Sequence, residues 1–176
     1  GDRGQVRLAL GEDDRIRAPL RGSRRFHVGT ASTHLGDRLL LRHRKDGRYR
    51  RVDRLRIHPG AGPRHLVFHP LAIAAYVINE LDSTLTVCSY TDGKLQIVQT
   101  ASTRPADSPG ENFPAELLIS ADGRHLYGSN RGDNTVAVFA VAADGLSVEL
   151  VQTIGSGGDW PRHLAFSNDG TRLYAA

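Results

Sequence analysis

The sequence predicts an all-β fold, a β-propeller built from four-stranded blades. Three segments each begin with a proline and continue into an apolar run, at Pro63, Pro114 and Pro161. Their starts lie 51 and 47 residues apart, within the range of one propeller blade. No stretch keeps apolar residues at the 3.6-residue spacing of a helix for more than two turns, so no helix competes with this interpretation.

The second repeat shows the four strands of a blade most clearly. Short runs rich in β-branched and aromatic residues alternate with turns that contain Gly or Asp, residue types that accept a positive φ. We predict its strands over residues 116–120, 125–131, 135–139 and 147–153. The first repeat follows the same order, and the third reaches its second strand at residues 173–176.

The repeat also divides the chain into units. We assign residues 36–59 to half a blade, 60–108 and 109–158 to one blade each, and 159–176 to a further half blade. A propeller closes with about four to eight blades, so the chain is expected to be a fragment of a larger ring. Its open blade edges are expected to favour self-association.

Residues 1–35 fit none of these units. They are rich in arginine interleaved with Gly, Ser and Asp, and they show neither strand alternation nor an amphipathic helical pattern. Two explanations stay open: a disordered basic tail, or a stretch that does not share the reading frame of the rest. The segment is left unassigned.

Positive charge is concentrated in the first third of the chain. Sixteen of the 23 Lys and Arg but seven of the 19 Asp and Glu lie in residues 1–56, which gives +9 there against −5 over residues 57–176. Phe26 and Tyr49 are the only aromatic residues among these basic ones. Nucleic acid is therefore not expected as a partner, because single-stranded binding needs interleaved aromatic residues.

The composition favours a cytoplasmic protein without a membrane partner. No apolar run of about 18 residues is present, and no secretory signal pattern occurs. Cys88 is the single cysteine, so neither an internal disulfide nor a cysteine zinc site is expected. We predict no metal and no cofactor.

Several motifs are more specific than the apolar pattern of a generic propeller. They are Gly-Pro-Arg-His at 62–65 with Val-Phe-His-Pro at 67–70, Gly-Glu-Asn at 110–112, and Ser-Asn-Arg at 129–131. In these motifs the chain from about Gly60 onward closely resembles the seven-bladed propeller lactonase family, which includes bacterial 6-phosphogluconolactonases and fungal carboxymuconate-lactonizing enzymes. The resemblance implies that about three of seven blades are present.

Two positions depart from the pattern of this family. His163 follows Pro161-Arg162 where an asparagine is usual. Residues 71–73 read Leu-Ala-Ile in place of a turn that contains glycine. The missing turn signal predicts a weakened hairpin after Pro70.

The resemblance implies a catalytic histidine at His65. Opening a lactone with water needs a base, for which histidine with a pKa of about 6.5 is suited, and positive charge for the oxyanion. Arginine also binds phosphate or carboxylate bidentately. The catalytic candidates are His65, Glu116, Arg131 and Arg162, with Glu116 expected to pair with one of the two arginines. The substrate-binding candidates are Arg64, Asn79, Glu80, Glu111 and Asn112.

The implied function is a metal-independent lactone hydrolase that acts on a phosphorylated or carboxylated sugar lactone. One alternative is a binding or scaffold propeller without activity. Another is a lactonizing isomerase that runs the reaction toward ring closure. For the individual residues, the alternatives are a structural histidine at 65, a structural salt bridge at Glu116 and solvated loop arginines.

Overall fold

The computed structural model describes residues 38–45 and 48–176, with side chains from Leu55 onward. The Arg-rich segment 1–35, residues 36–37 and residues 46–47 lie outside the described residues. The regular structure of the described part consists of twelve strands. They are β1 (Arg38–Lys45), β2 (Arg48–Arg56), β3 (Pro63–Phe68), β4 (Ala74–Asn79), β5 (Thr84–Thr91), β6 (Lys94–Ser102), β7 (Phe113–Ile119), β8 (His125–Arg131), β9 (Thr135–Val141), β10 (Val148–Gly155), β11 (Leu164–Phe166) and β12 (Leu173–Ala175).

The strands form antiparallel sheets in which chain neighbours pair. One four-stranded sheet has the order β3-β4-β5-β6 and is called blade 1; the other has the order β7-β8-β9-β10 and is called blade 2. Strands β1 and β2 form a two-stranded sheet, as do β11 and β12. The predicted all-β fold of four-stranded units is confirmed. The described residues contain no helix long and apolar enough to cross a membrane.

The inner strands of each blade are buried on both faces, which explains their continuous apolar runs, whereas the last strand of each blade is largely exposed. All six residues of β4 are buried. Because side chains alternate along a strand, Ala75 and Val77 pack toward Leu55 and Ile57 on one side. Tyr76 and Ile78 belong to the core on the other side, which Leu117, Leu126 and Phe139 of blade 2 complete.

The hairpin between β3 and β4 forms without the glycine turn signal, and its weakening stays a prediction. Ala72 takes the left-handed conformation with φ of +55°, a role usually left to glycine, and donates its N–H to the His69 carbonyl at 2.7 Å. His69 is buried, because its imidazole packs into the space that the absent Cβ of Gly123 in blade 2 leaves free. A Cβ at Gly123 would lie 2.4 Å from His69 Nε2.

The first strands of the successive units lie side by side. Strand β3 contacts β7, and β7 contacts β11. These strands run in the order of the repeat, so residues at equivalent positions after each proline become neighbours across the blades. The end of the blades where β3 and β7 begin, and where β4 and β8 finish, is called the site end.

Candidate active site

Three side chains from successive units meet at the site end. The Glu116 carboxylate lies between two imidazoles: Oε1 is 2.5 Å from His65 Nδ1, and Oε2 is 2.7 Å from His163 Nδ1. Each residue is the second after the proline of its unit. The repeat therefore builds a histidine, carboxylate, histidine row, called here the His65–Glu116–His163 row.

Irregular strand pairing turns these side chains toward one another. The register of β3 on β4 shifts between Pro63 and His65, and that of β7 on β8 shifts between Pro114 and Leu117. Such bulges redirect a side chain and free its backbone from the ladder. The Glu116 N–H accordingly donates to the Ser129 hydroxyl at 3.0 Å.

The environment of Glu116 favours its ionised form. The side chain is only 10% exposed, and burial alone acts to raise its pKa. That effect is outweighed by the hydrogen bond and charge of His65, the hydrogen bond of His163, and the Leu117 N–H at 3.1 Å. The net result is a pKa below the ordinary value of glutamic acid.

A second contact, again between residues at equivalent positions of blades 1 and 2, lies beside this row. Arg131 at the end of β8 donates through Nη2 to Glu80, which follows the last residue of β4. Its Nε donates to the Phe113 carbonyl at 2.9 Å, and the residue is buried. The expected pairing of Glu116 with Arg131 or Arg162 is therefore wrong. Arg131 faces Glu80 because both lie where the second strand of their blade finishes, whereas Glu116 lies on a first strand.

The arginines gather around the two carboxylates. Arg64 donates to the Ala115 carbonyl, and its Nε is 3.7 Å from Glu80 Oε2. Burial lowers the pKa of Arg64, and the nearby charges of Arg131 and Arg162 lower it further against the opposing effect of Glu80 and Glu116. Arg162 is exposed, and its side chain makes no hydrogen bond or ion pair with the described residues. It is the arginine most accessible to an anion in this group.

Three of the expected binding residues lie apart from the row. Asn79 is fully buried, and its amide donates to the Thr84 and Thr86 hydroxyls within blade 1. Asn112 is also buried, and its amide donates to Ser83 and Asn130, joining the two blades. These contacts support structural roles for both asparagines.

Glu111 and Asn112 line a separate cleft of about 400 Å³. The cleft lies between the β4–β5 turn and the connection that precedes β7, and its lining includes Asp82, Arg104 and Phe113. None of its lining residues belongs to the His65–Glu116–His163 row. The structure thus does not bring Glu111 into the row, although its backbone carbonyl packs closely against Gly132.

His163 is the site residue that sequence reasoning missed. The repeat already contained the signal, because His163 follows Pro161 by the same two positions that separate Glu116 from Pro114. No group of three His, Cys, Asp or Glu residues arranged to hold a metal ion occurs among the described side chains.

The four-stranded sheets and the His65–Glu116–His163 row together define the class of this protein. It is a β-propeller that carries a buried carboxylate between two imidazoles, and a group of arginines, at one end of its blades. Residues 36–176 match the model of the family described as Lactonase, 7-bladed beta-propeller. The chain belongs to this family, and the predicted resemblance is confirmed.

Similar proteins include a 6-phosphogluconolactonase from Cronobacter sakazakii, 42% identical over 119 residues, which are 66% of this chain and 35% of that protein. Among solved structures, a protein from Lactobacillus plantarum matches with a TM-score of 0.73 and 35% identity, over 80% of this chain and 42% of the other. The periplasmic gluconolactonase of Pseudomonas aeruginosa matches with a TM-score of 0.70 and 30% identity, over 80% and 41%. The chain thus spans about a third of the length of the curated relative.

Proposed function

We propose that this chain supplies the catalytic row of a lactone hydrolase that acts on an anionic sugar lactone. The observation that carries the proposal is the buried Glu116 carboxylate bonded to both His65 and His163. Relatives named 6-phosphogluconolactonase and gluconolactonase support this reaction class.

The proposed base is His65. Its Nδ1 is bonded to Glu116, so an ionised carboxylate holds the proton on Nδ1 and leaves the lone pair on Nε2. Nε2 takes a proton from water as the water oxygen bonds to the lactone carbonyl carbon. When the ring C–O bond breaks, the same proton passes to the departing ring oxygen. Glu116 stabilises the imidazolium that exists between these steps.

The arginine group supplies positive charge for the anionic parts of the reaction. Arg162 is exposed without a partner of its own among the described residues, so it is proposed to bind the phosphate or carboxylate of the substrate. The half-buried Arg64 and the Nη1 of Arg131, which makes no hydrogen bond with the described residues, are proposed to hold the oxyanion. Glu80 fixes the orientation of both guanidinium groups.

The second imidazole, His163, is proposed to keep the carboxylate in place. It occupies Oε2, so that Oε1 remains directed at His65. Substituting asparagine, the usual residue of the family, preserves a donor to Oε2. We therefore expect His163→Asn to retain most of the activity and His163→Ala to lose more of it.

The test is hydrolysis of 6-phosphogluconolactone by a chimeric ring. In this ring, residues 58–176 replace the corresponding segment of the Cronobacter sakazakii 6-phosphogluconolactonase, and wild-type turnover is compared with that of His65→Ala. His58→Ala is the matched control, because His58 also bonds a carboxylate, Asp82 at 2.5 Å, but outside the row. We expect His65→Ala to lower kcat by about 100-fold or more and His58→Ala to leave it unchanged. A fall of less than threefold for His65→Ala contradicts the assignment of the base.

Two further parts of the proposal have their own measurements. Metal independence predicts full turnover after dialysis against a chelator. A cytoplasmic location predicts that the chain is recovered with cytoplasmic markers on fractionation, whereas one structural relative is described as periplasmic.

A further inference from the structure

A half-exposed tryptophan lies beside the site. Trp160 lies between β10 and β11, and half of its surface is accessible to solvent. Its ring centroid is 5.7 Å from the Arg131 guanidinium carbon and 6.0 Å from the Phe113 ring. It also precedes Arg162 and His163 by two and three residues. The ring therefore borders the arginine group on the side of the third repeat.

The backbone of Trp160 adopts a conformation that suits glycine. Its φ is +59°, in the left-handed region. The equivalent residue of the first repeat, immediately before the proline, is Gly62 with φ of +63°. A residue with a side chain is strained in this region, and such strained residues cluster at functional sites. The chain thus keeps a tryptophan where glycine would relieve the strain.

The loop fixes this backbone although the ring is exposed. The Trp160 N–H donates to Asn134 Oδ1 at 2.8 Å, and the Asn134 amide donates to Asp159 at 2.8 Å. The Ser156 hydroxyl donates to the Asn134 carbonyl at 2.9 Å. These bonds tie the loop to the turn between β8 and β9. Half of the Trp160 surface stays accessible to solvent although its backbone is held in this way.

We infer that Trp160 is a specificity-determining residue that stacks against the sugar portion of the substrate while the arginines bind its anionic group. This inference rests on the proposed function. A flat aromatic face packs against the C–H face of a sugar, and the cation beside it lies where a phosphate or carboxylate would be recognised. The residue thus distinguishes a sugar acid from a bare anion.

The test is ligand binding to the 176-residue chain by calorimetry, with three probes: 6-phosphogluconate, gluconate and inorganic phosphate. The variants are Trp160→Gly, which removes both the ring and the strain, and Trp160→Phe, which keeps an aromatic ring. Leu71→Ala is the control, because Leu71 is 72% exposed and lies at the opposite end of blade 1. Circular dichroism at the binding temperature establishes that each variant is folded.

We expect Trp160→Gly to weaken 6-phosphogluconate and gluconate about tenfold and to leave inorganic phosphate unchanged. Trp160→Phe is expected to restore most of the affinity, and Leu71→Ala to change none. Trp160 is the single tryptophan of the chain, so its fluorescence should change with 6-phosphogluconate and not with phosphate.

Several outcomes would overturn the inference. One is that the unsubstituted chain binds 6-phosphogluconate no more tightly than phosphate. Another is that Trp160→Phe behaves like Trp160→Gly. A parallel loss of phosphate affinity would assign Trp160 to holding Arg131 rather than to stacking.

Failure of the proposed function gives a different pattern. If sugar-acid binding depends on Trp160 but the chimeric ring does not hydrolyse the lactone, the stacking inference stands and the proposed reaction does not. If Trp160→Gly leaves kcat/KM of the ring for the lactone unchanged, the proposed reaction stands and the stacking inference does not.

Discussion

Replacing Glu116 with glutamine removes the charge of the row while keeping its shape. Oε1 of the wild-type residue accepts from the Leu117 N–H and contacts His65, and Oε2 contacts His163. A glutamine retains one acceptor oxygen, so the His65 contact can persist. Its NH₂ group would face His163 Nδ1, which must then change from donor to acceptor. Neither imidazole would retain a negatively charged partner.

The expected loss follows from these contacts. A hydrogen bond to a charged group contributes about 1.5–3 kcal/mol, of which glutamine keeps part, so we expect the free energy of unfolding to fall by about 1–2 kcal/mol. We expect kcat of the chimeric ring to fall by about 100-fold or more, because the base loses its orientation and the imidazolium loses its stabilising charge. The assays are urea unfolding of the chain and hydrolysis of 6-phosphogluconolactone by the ring.

The pH dependence of stability gives a second reading of the same variant. The folded-state pKa of Glu116 is lowered, although burial opposes this, because the bonds from His65, His163 and Leu117 favour the carboxylate. A lowered pKa means that its stabilisation is present above the unfolded-state pKa of about 4.3 and is lost as pH falls through the folded-state value. The stability difference between wild type and Glu116→Gln should therefore be largest near neutral pH and shrink in acid.

Three results would refute this reasoning. A Glu116→Gln ring with kcat within threefold of wild type would show that the carboxylate does not serve the base. A stability difference that stays constant down to low pH would show that the carboxylate charge is not what stabilises the fold. Equal losses from Asp82→Asn, which removes the carboxylate bonded to His58, would show a general effect of charge removal.

Three further predictions follow from other parts of the structure. Arg162→Ala should lower kcat/KM of the ring for phosphorylated lactone about 30-fold, which corresponds to a loss of about 2 kcal/mol, and should change kcat/KM for the unphosphorylated lactone little. Arg131→Ala also leaves Glu80 without its partner, so it should lower kcat/KM for both substrates. Gly132→Ala should lower the free energy of unfolding in urea by about 3 kcal/mol or more, because its φ is +102° and a Cβ would lie 2.3 Å from the Glu111 carbonyl oxygen. Gly93→Ala is the control: its φ is +81° but the space around it is open, so the free energy of unfolding should fall by about 1 kcal/mol. Light scattering should show concentration-dependent self-association of the chain through its blade edges; a monodisperse monomer would contradict this.

The repeat in the sequence accounts for the four-stranded sheets and for the meeting of His65 with Glu116. A fixed offset from each proline places residues at the same height on neighbouring first strands, so the contact follows from periodicity. The same offset contained His163. Because the family pattern has asparagine at this position, the pattern alone does not indicate that a histidine here joins the row.

The contacts that were predicted wrongly depend on distances between blades. Sequence cannot show that Arg131 reaches Glu80 across two second strands, because that requires the separation and the side-chain rotamers of both residues. The burial of His69 against Gly123 likewise depends on how the two blades pack. The turn at Ala72 forms because a non-glycine residue accepts a strained φ when the flanking strands are fixed.

In the proposed mechanism His65 and Glu116 act as one catalytic unit. A double-mutant cycle on kcat of the chimeric ring, with His65→Ala, Glu116→Gln and the double variant, measures this coupling. If the carboxylate works through the imidazole, the double variant should be no more than threefold slower than His65→Ala alone. A double variant whose loss is the product of the two single losses would contradict the claim.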